Sequence, residues 1–221
     1  MPQTSSAPST VASSAPEPCA LAPSAASPSS TVPNITVPRL HTSRPGRTRI
    51  NFERWPAAVR SAELAHGTLV RCGPGVRLAA WPDTPATRAH VLRELLGTKL
   101  IPILISAAWV WGCAGEPGSP ISCSTRGGGR PKLACARTMR VHEFHYAATD
   151  LVACDGVALP TPERTVCDLL RLEETFTVSL AVTCRLLVQR GQLSRERCQA
   201  ALHAGPGRHR ARALTRLAAL L

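Results

Sequence analysis

Apolar residues recur at helical spacing in several separate stretches of the chain. Around residues 85–97 one stripe is formed by Val91, Leu92, Leu95 and Leu96, and around residues 56–67 a shorter one is formed by Trp55, Val59 and Ala62. Recurrence every three or four residues is the period of a helix with one buried face, so both stretches are predicted helices. Further helices are predicted at 107–112, from residue 162 onward, and at 176–190, 194–204 and 209–221.

Polar residues mark where three of these helices begin. Thr161 stands before Pro162, and proline is favoured at the first position of a helix. Ser194 precedes the helix at 194–204, and Ser106 precedes the one at 107–112. A serine or threonine at such a position accepts a hydrogen bond from a backbone N–H of the first turn. We therefore predict all three as N-caps.

Short β-prone runs lie between the helices. Residues 67–78 hold two of them around Gly73-Pro74-Gly75, a pattern typical of a hairpin. Further strands are predicted at 101–105, 121–125, 139–146 and 157–159. The second and third of these flank a basic glycine loop at 126–132, for which we predict a hairpin connection. The whole pattern predicts an α+β fold, with helices covering a small sheet.

The chain divides into four parts by composition. Residues 1–46 consist almost wholly of Ser, Ala, Pro and Thr, which cannot bury enough apolar surface to offset the entropy of ordering, so a disordered tail is predicted. Residues 47–80 combine a helix with a basic hairpin, as in the last part of a winged-helix module. Residues 81–204 form the main α+β domain, and residues 205–221 a C-terminal amphipathic helix.

The net charge is +12, which favours a polyanion or an acidic protein as partner. A winged helix needs at least two helices before its hairpin, and only one is predicted, so we describe the segment as reduced and expect any DNA binding to be weak. The candidate DNA-binding residues are the arginines of this segment and of the arm before it. They are Arg44, Arg47, Arg49, Arg54, Arg60, Arg71 and Arg77.

The sequence contains few of the residue patterns that metal, cofactor or catalytic sites use. The nine cysteines include no closely spaced pair of the kind that zinc sites use, so buried, unreactive thiols are predicted. His142 and His145 lie three apart, on opposite sides of a predicted strand. No Walker loop and no G-x-S-x-G sequence occurs. We expect a protein without cofactor or metal that is not an enzyme. With no secretion signal or membrane span predicted, it is expected in the cytoplasm.

Three segments, in order, resemble the AbiEi family of bacterial type IV antitoxins. The first is the hairpin at 67–77, and the second is Ile105-Ser-Ala-Ala-Trp-Val-Trp-Gly112. The third runs from Arg140-Val-His142 through Thr149-Asp-Leu-Val152 and Asp155-Gly-Val157 to Thr161-Pro-Glu-Arg-Thr-Val-Cys-Asp-Leu169. Together they extend over residues 67–171. One position departs from the family pattern, since Glu143 follows Val-His where the family has arginine.

The resemblance implies an antitoxin whose C-terminal domain counteracts a nucleotidyltransferase toxin, with an N-terminal winged helix that binds operator DNA and represses its own operon. Two alternatives stay open. One is a DNA-binding transcriptional regulator without a toxin, and the other is an orphan protein-interaction module. A nucleotidyltransferase gene beside this one would favour the antitoxin.

Candidate partner-binding residues come from the third segment and the last helix. They are Arg140, His142, Arg164, Asp168, Arg208, Arg212 and Arg216. Arg164 and Asp168 lie four apart on one helix and can pair, which fixes a helix as readily as it binds a partner. The last helix is predicted to have one apolar stripe, Leu214, Leu217, Ala218 and Leu221, and one arginine stripe facing solvent or an anionic partner. Trp109 and Trp111 point in different directions, so core packing of both is favoured over an exposed binding site.

Overall fold

The computed structural model describes residues 50–125 and 138–221, and within them the chain forms seven α-helices and seven β-strands. The helices are α1 Ala57–Ala65, α2 Pro85–Leu96, α3 Leu104–Val110, α4 Pro162–Leu172, α5 Val178–Arg190, α6 Arg195–Ala204 and α7 Arg210–Leu220. The strands are β1 Leu69–Cys72, β2 Gly75–Leu78, β3 Leu100–Pro102, β4 Ile121–Thr125, β5 Met139–His142, β6 Leu151–Cys154 and β7 Val157–Pro160. The predicted α+β class is confirmed. The predicted tail at 1–46 lies outside the described residues.

The strands form three small sheets. Strands β1 and β2 make the predicted antiparallel hairpin, with Leu69 opposite Leu78 and Cys72 opposite Gly75. Strands β3, β4 and β5 form a three-stranded sheet in that order, and β6 pairs with β7 in an antiparallel hairpin. Strand β6 was not predicted, because its four residues show neither clear alternation nor a long apolar run.

The pairing of β4 with β5 differs from the predicted hairpin. The two strands are parallel, with Ile121 opposite Met139 and Ser124 opposite His142. Parallel neighbours cannot be joined by a tight turn, because the chain must return to the starting end of the sheet. The predicted loop at 126–132, including its basic glycine sequence, lies outside the described residues. Strand β5 also ends at His142, four residues earlier than predicted.

Two of the three predicted N-caps are confirmed. The Thr161 hydroxyl accepts from the Arg164 N–H at 3.2 Å, and the Ser194 hydroxyl accepts from the Arg197 N–H at 3.1 Å. The third is wrong, because α3 already begins at Leu104. The Ser106 hydroxyl instead donates to the Pro117 carbonyl at 2.6 Å and accepts from the Ser122 N–H at 3.0 Å. This buried serine joins α3 to β4.

The core lies between α2, α3, the small sheets and the C-terminal helices. Trp109 in α3 and Trp111 directly after it both belong to the core, since they are 2% and 6% exposed. The Trp111 indole donates to the Pro160 carbonyl at 2.9 Å. On α2, three of the four predicted stripe residues are buried, but Leu95 is 37% exposed. The cysteines of the described ranges are all buried, as their spacing predicted: Cys72, Cys113, Cys123, Cys154, Cys167, Cys184 and Cys198.

The longest helix of the described ranges, α5, has 13 residues. Among the helices of residues 50–125 and 138–221, none is both long enough and apolar enough to span a membrane.

Candidate functional site

A cleft of about 660 Å³ opens beside the first turn of α4. One wall is the segment that leads into β6, with Asp150, and another is α4 itself, with Arg164 and Arg171. Helix α6 supplies Arg197, and the residues that follow α6 close the far end. The lining is rich in charge of both signs, which sets it apart from the apolar core around it.

The local sequence explains how α4 presents its charges to this cleft. Thr161 caps the helix, Pro162 occupies its first turn, and the Thr161 N–H donates to the Asp150 carbonyl at 2.8 Å. These bonds fix the start of α4 against the end of a short 3-10 helix, Ala148–Asp150, that precedes β6. From that start, Arg164 and Asp168 fall on one face, since residues four apart on a helix are neighbours.

Four charged side chains form one network on this face. Arg164 contacts Asp168 at 2.9 Å through Nε and Asp150 at 2.8 Å through Nη1. Arg171 approaches Asp168 from the other side, with Nη2 and Oδ1 3.6 Å apart, and donates to the Pro206 carbonyl at 3.2 Å. Asp168 and Arg171 are each only 4% exposed, so the deeper half of the network is part of the protein interior.

The electrostatics follow from this burial. Loss of water raises the pKa of Asp168, and the guanidinium groups of Arg164 and Arg171 act in the opposite direction. For Arg164, burial alone would lower the pKa, but the carboxylates of Asp168 and Asp150 outweigh it and raise the pKa. The network is therefore a set of charges that depend on one another to remain buried.

Tyr146 covers the network from the side of the chain before β6. Its ring centroid lies 4.7 Å from the guanidinium carbon of Arg164, a cation–π contact. Burial raises the pKa of Tyr146, which keeps the phenol protonated. Its hydroxyl is buried, and none of the described residues forms a hydrogen bond with it.

The outer rim of the cleft is accessible to a partner. Arg197 is paired with Glu163 at 2.6 Å, and its side chain remains 63% exposed. Cys167 also lines the cleft, but burial raises the pKa of its thiol to about 12, so it is a poor nucleophile at neutral pH. No group of three or more His, Cys, Asp and Glu side chains suited to a metal ion occurs in residues 50–125 and 138–221. The arrangement suits recognition of a charged surface.

The structure brings together only part of the predicted partner-binding set. Arg164 and Asp168 lie in the network, whereas Arg140 and His142 lie on β5 and do not line the cleft. Burial lowers the pKa of His142, and the charge of Arg140 adds to that effect. Sequence reasoning missed Arg171 and Arg197. Arg171 is three residues after Asp168, so helical spacing could have revealed it.

The prediction that the arginine stripe of α7 faces solvent is wrong for two of its three members. Arg212 donates to the Arg171 carbonyl, and Arg216 donates to the carbonyls of Leu170 at 2.9 Å and Glu173 at 2.7 Å. These carbonyls are left free where α4 ends, because the last carbonyls of a helix have no backbone N–H donor within the helix. Arg208 is exposed, as predicted.

The apolar stripe of α7 is also rotated from its predicted position. The buried residues of this helix are Ala213, Leu217 and Leu220, whereas Ala218 and Leu221 are exposed. The rotation turns the side of α7 that bears Arg212 and Arg216 toward the end of α4. A solvent-facing arginine face was therefore an incorrect expectation for these two residues.

The candidate DNA-binding arginines differ in how free their side chains are. Arg54 and Arg71 are exposed beside α1 and on β1. Arg60 pairs with Glu53, and Arg77 donates to the Leu78 carbonyl at 3.1 Å and to the Trp81 carbonyl. The remaining candidates, Arg44, Arg47 and Arg49, lie outside the described residues.

Comparison with known proteins adds little to this picture. No model of a known protein family matches the chain, and no curated protein matches it. Among solved structures, the RV2827C protein from Mycobacterium tuberculosis is similar, with a TM-score of 0.41 and 19% sequence identity. The similarity covers 76% of this chain, and this chain spans 65% of the length of that one. The function therefore has to be argued from the residues themselves.

Proposed function

We propose that this chain is a binding protein of the antitoxin type, which counteracts a nucleotidyltransferase toxin through the surface around the α4 cleft. The observation that carries the proposal is the convergence of two separate motifs on one site. Asp150 belongs to the Thr149–Val152 motif, and Thr161, Arg164 and Asp168 belong to the motif that opens α4; both resemble AbiEi sequences. Arg164 joins the two motifs by contacting both Asp150 and Asp168, and Asp150, Thr161 and Arg164 line the cleft.

The two halves of the site have different tasks in this proposal. The buried half, Asp168 and Arg171, holds α4 in place, because each charge would be costly without the other. The outer half, the half-buried Glu163 and the exposed Arg197, offers charges of both signs on a fixed scaffold. Charges at the rim of an interface chiefly determine which partner is accepted and how fast it associates.

Growth of bacteria provides the test. The full chain is co-expressed with a nucleotidyltransferase encoded beside its gene, and we expect growth to be restored. The full chain is used because the hairpin packs on the core: a Cβ at Gly73 would lie 2.6 Å from the Trp109 ring. Arg197→Glu should weaken protection, while the loss of its surface ion pair with Glu163 should lower the free energy of unfolding by no more than about 1 kcal/mol. The control is Arg208→Glu, which reverses an exposed charge outside the cleft.

Two results would reject the proposal. One is continued toxicity in cells that contain folded, soluble full chain. The other is protection that responds equally to Arg197→Glu and Arg208→Glu, which would show that the cleft has no special part in it.

We further propose weak, mainly electrostatic DNA binding by α1 and the β1–β2 hairpin. Arg54 and Arg71 are exposed there and can contact phosphates, which supports binding without base recognition. Such binding should fall steeply as salt rises from about 50 to about 200 mM, because it depends on counterion release. Arg71→Gln should weaken it more than Arg77→Gln, which removes the same charge, since Arg77 is engaged with backbone carbonyls. Salt-resistant binding to one operator sequence would contradict this proposal.

A further inference from the structure

Helix α5 has two apolar faces, and the protein itself covers one of them. The inner face is buried against α4 and includes Leu180, Cys184 and Leu187. The outer face presents Val178, Val182 and Leu186, which are 82%, 47% and 41% exposed. Single exposed apolar residues are ordinary on protein surfaces, but three neighbours on one helix form a patch that indicates an interaction site.

The three residues lie on one row along the helix. They are spaced four apart, each step advances about 6 Å along the axis, and the row is therefore about 12 Å long. Opposite charges flank these three residues, since Glu174 lies in the bend before the Thr177 N-cap of α5 and Arg190 is the last residue of the helix. Both of these side chains are exposed. The α5 row is thus Val178, Val182 and Leu186, with an acid before its first residue and a base after its last.

We propose that a second copy of this chain covers the α5 row, with the two α5 helices packed antiparallel about a two-fold axis at Val182. A two-fold axis at this point places Val182 against its own counterpart and Val178 beside Leu186 of the other copy. It also brings the Glu174 end of each row toward the Arg190 end of the other. The row is therefore complementary to itself in apolar character and in charge, as the self-matching surface of a symmetric dimer must be.

The charges on and around α5 favour this occupant over others. A lipid surface would be expected to attract bases at both ends of the row, whereas one end is acidic. Arg185, the cation nearest to Leu186 in sequence, donates through Nε to the Leu220 carbonyl at 3.1 Å and so points toward α7. Within residues 50–125 and 138–221, no ion pair of the Glu174 or Arg190 side chain occurs that would compete with pairing between copies.

The contact is small, and its strength should be modest. One pair of short helices buries less than the roughly 1,200–2,000 Å² of a standard stable interface, so we expect a monomer–dimer equilibrium in the micromolar range. Sedimentation velocity of the full chain, from about 5 to about 200 µM, covers the range in which such weak interfaces assemble. We expect the average mass to rise from monomer toward dimer.

A charge at the two-fold axis tests the position of the interface. Val182→Glu places two carboxylates against each other, and we expect the dissociation constant to rise at least tenfold, which corresponds to about 1.4 kcal/mol. The control is Val59→Glu on α1, at a valine that is 43% exposed, close to the 47% of Val182. It adds the same charge to another helix and should leave self-association unchanged. Circular dichroism checks that both variants are folded.

A charge exchange tests the orientation without altering the apolar residues. Glu174→Arg and Arg190→Glu should each weaken the dimer, because each places like charges at both ends of the interface. The double variant restores opposite charges across the axis. Its dissociation constant should therefore return to within about twofold of that of the unmodified chain, a much smaller change than the tenfold that corresponds to about 1.4 kcal/mol.

Three outcomes would overturn the proposal. The first is a monomer over the whole concentration range. The second is a dimer that Val182→Glu and Val59→Glu affect equally, which would locate the interface elsewhere. The third is a double charge variant as weak as the sum of its single changes, which would exclude the antiparallel arrangement. None of these measurements involves a toxin or DNA, so their result is independent of the proposed function.

Discussion

Helices α1 and α4 are of similar length but differ completely in their relation to the rest of the protein. Helix α1 has 9 residues and buries none of them, while α4 has 11 residues and buries seven. Helix α1 packs mainly beside β1, whereas α4 is surrounded by α3, α5, α6, α7 and β7. The helical pattern is present in both sequences, so the pattern alone does not determine burial. What differs is the number of neighbouring elements available to cover each helix.

The charges of the two helices illustrate the same difference. On α1, Arg60 pairs with Glu53 at the surface, where an ion pair contributes little to stability. On α4, Asp168 is shared by Arg164 and Arg171 in the interior. The free energy of unfolding therefore depends strongly on the α4 charges. The surface residues of α1, by contrast, can be substituted with little loss of stability. A region of that kind is suited to binding.

The largest effect is expected where the α4 network is broken. Asp168→Ala leaves the buried Arg171 without its carboxylate, and we expect the free energy of unfolding to fall by about 3–5 kcal/mol. Urea denaturation measures this. Glu163→Ala, which removes a partner of the exposed Arg197, should cost only about 0–1 kcal/mol. On α1, Val59→Ala should cost less than about 0.5 kcal/mol. Equal losses in all three would remove the distinction between the helices.

A second prediction asks whether the hairpin belongs with α1 or with the core. Gly73 has a φ of +55°, and a Cβ there would lie 2.6 Å from Cζ2 of the buried Trp109. We expect Gly73→Ala to cost about 2–4 kcal/mol, from the left-handed backbone and from crowding of the indole together. Gly67 has a φ of +78° with open space around it, so Gly67→Ala should cost about 1–2 kcal/mol. Matching losses would mean that the hairpin moves away from the core easily.

The third prediction concerns the carbonyls at the end of α4. Arg216→Ala removes the donors to Leu170 and Glu173, and we expect a loss of about 1–2 kcal/mol in unfolding free energy. Arg208→Ala changes an exposed residue just before the same helix and should stay within about 0.5 kcal/mol of the unmodified chain. If both substitutions change the unfolding free energy by the same small amount, the Arg216 contacts do not stabilise the protein. Arg216 would then behave as part of the predicted solvent-facing stripe.

The sequence predicted the local features of this fold better than its long-range ones. The caps at Thr161 and Ser194, the β1–β2 hairpin and the burial of Trp109 all follow from neighbouring residues and helical period. The parallel pairing of β4 with β5 does not, because it depends on where the chain returns after residue 125. Ser106 was misassigned for a related reason, since its partners Pro117 and Ser122 are brought close only by the folded chain.

The candidate site shows the same limit. The spacing of Arg164 and Asp168 predicted their pairing, but the contribution of Asp150 depends on how the segment before β6 meets the start of α4. Arg212 and Arg216 were expected in solvent, because charged residues on one face of a helix usually lie there. Their acceptors are backbone carbonyls, which every sequence contains and which no residue type identifies. Such contacts become predictable only once the tertiary arrangement is known.

The smallest expected effect is the pH dependence of stability that His142 causes at the end of β5. It tests whether this end of the strand behaves as part of the buried region. Burial lowers the pKa of His142 below its ordinary value, and the nearby charge of Arg140 adds to this. The unfolded chain therefore binds this proton at a higher pH than the folded chain does. It follows that the stabilising contribution of neutral His142 is complete above the ordinary histidine pKa of about 6.5 and is lost as the pH falls through the window below it.

Unfolding free energies measured between about pH 7 and about pH 5, across the ordinary histidine range, would test this linkage. The unmodified chain should lose stability on acidification, and His142→Gln should make that dependence shallower because glutamine does not titrate. Arg140→Gln should have a weaker effect in the same direction, since it removes the neighbouring positive charge but leaves His142 buried. A pH dependence that His142→Gln leaves unchanged would show that the end of β5 is as open to water as α1, and the boundary between the two regions would then lie before His142.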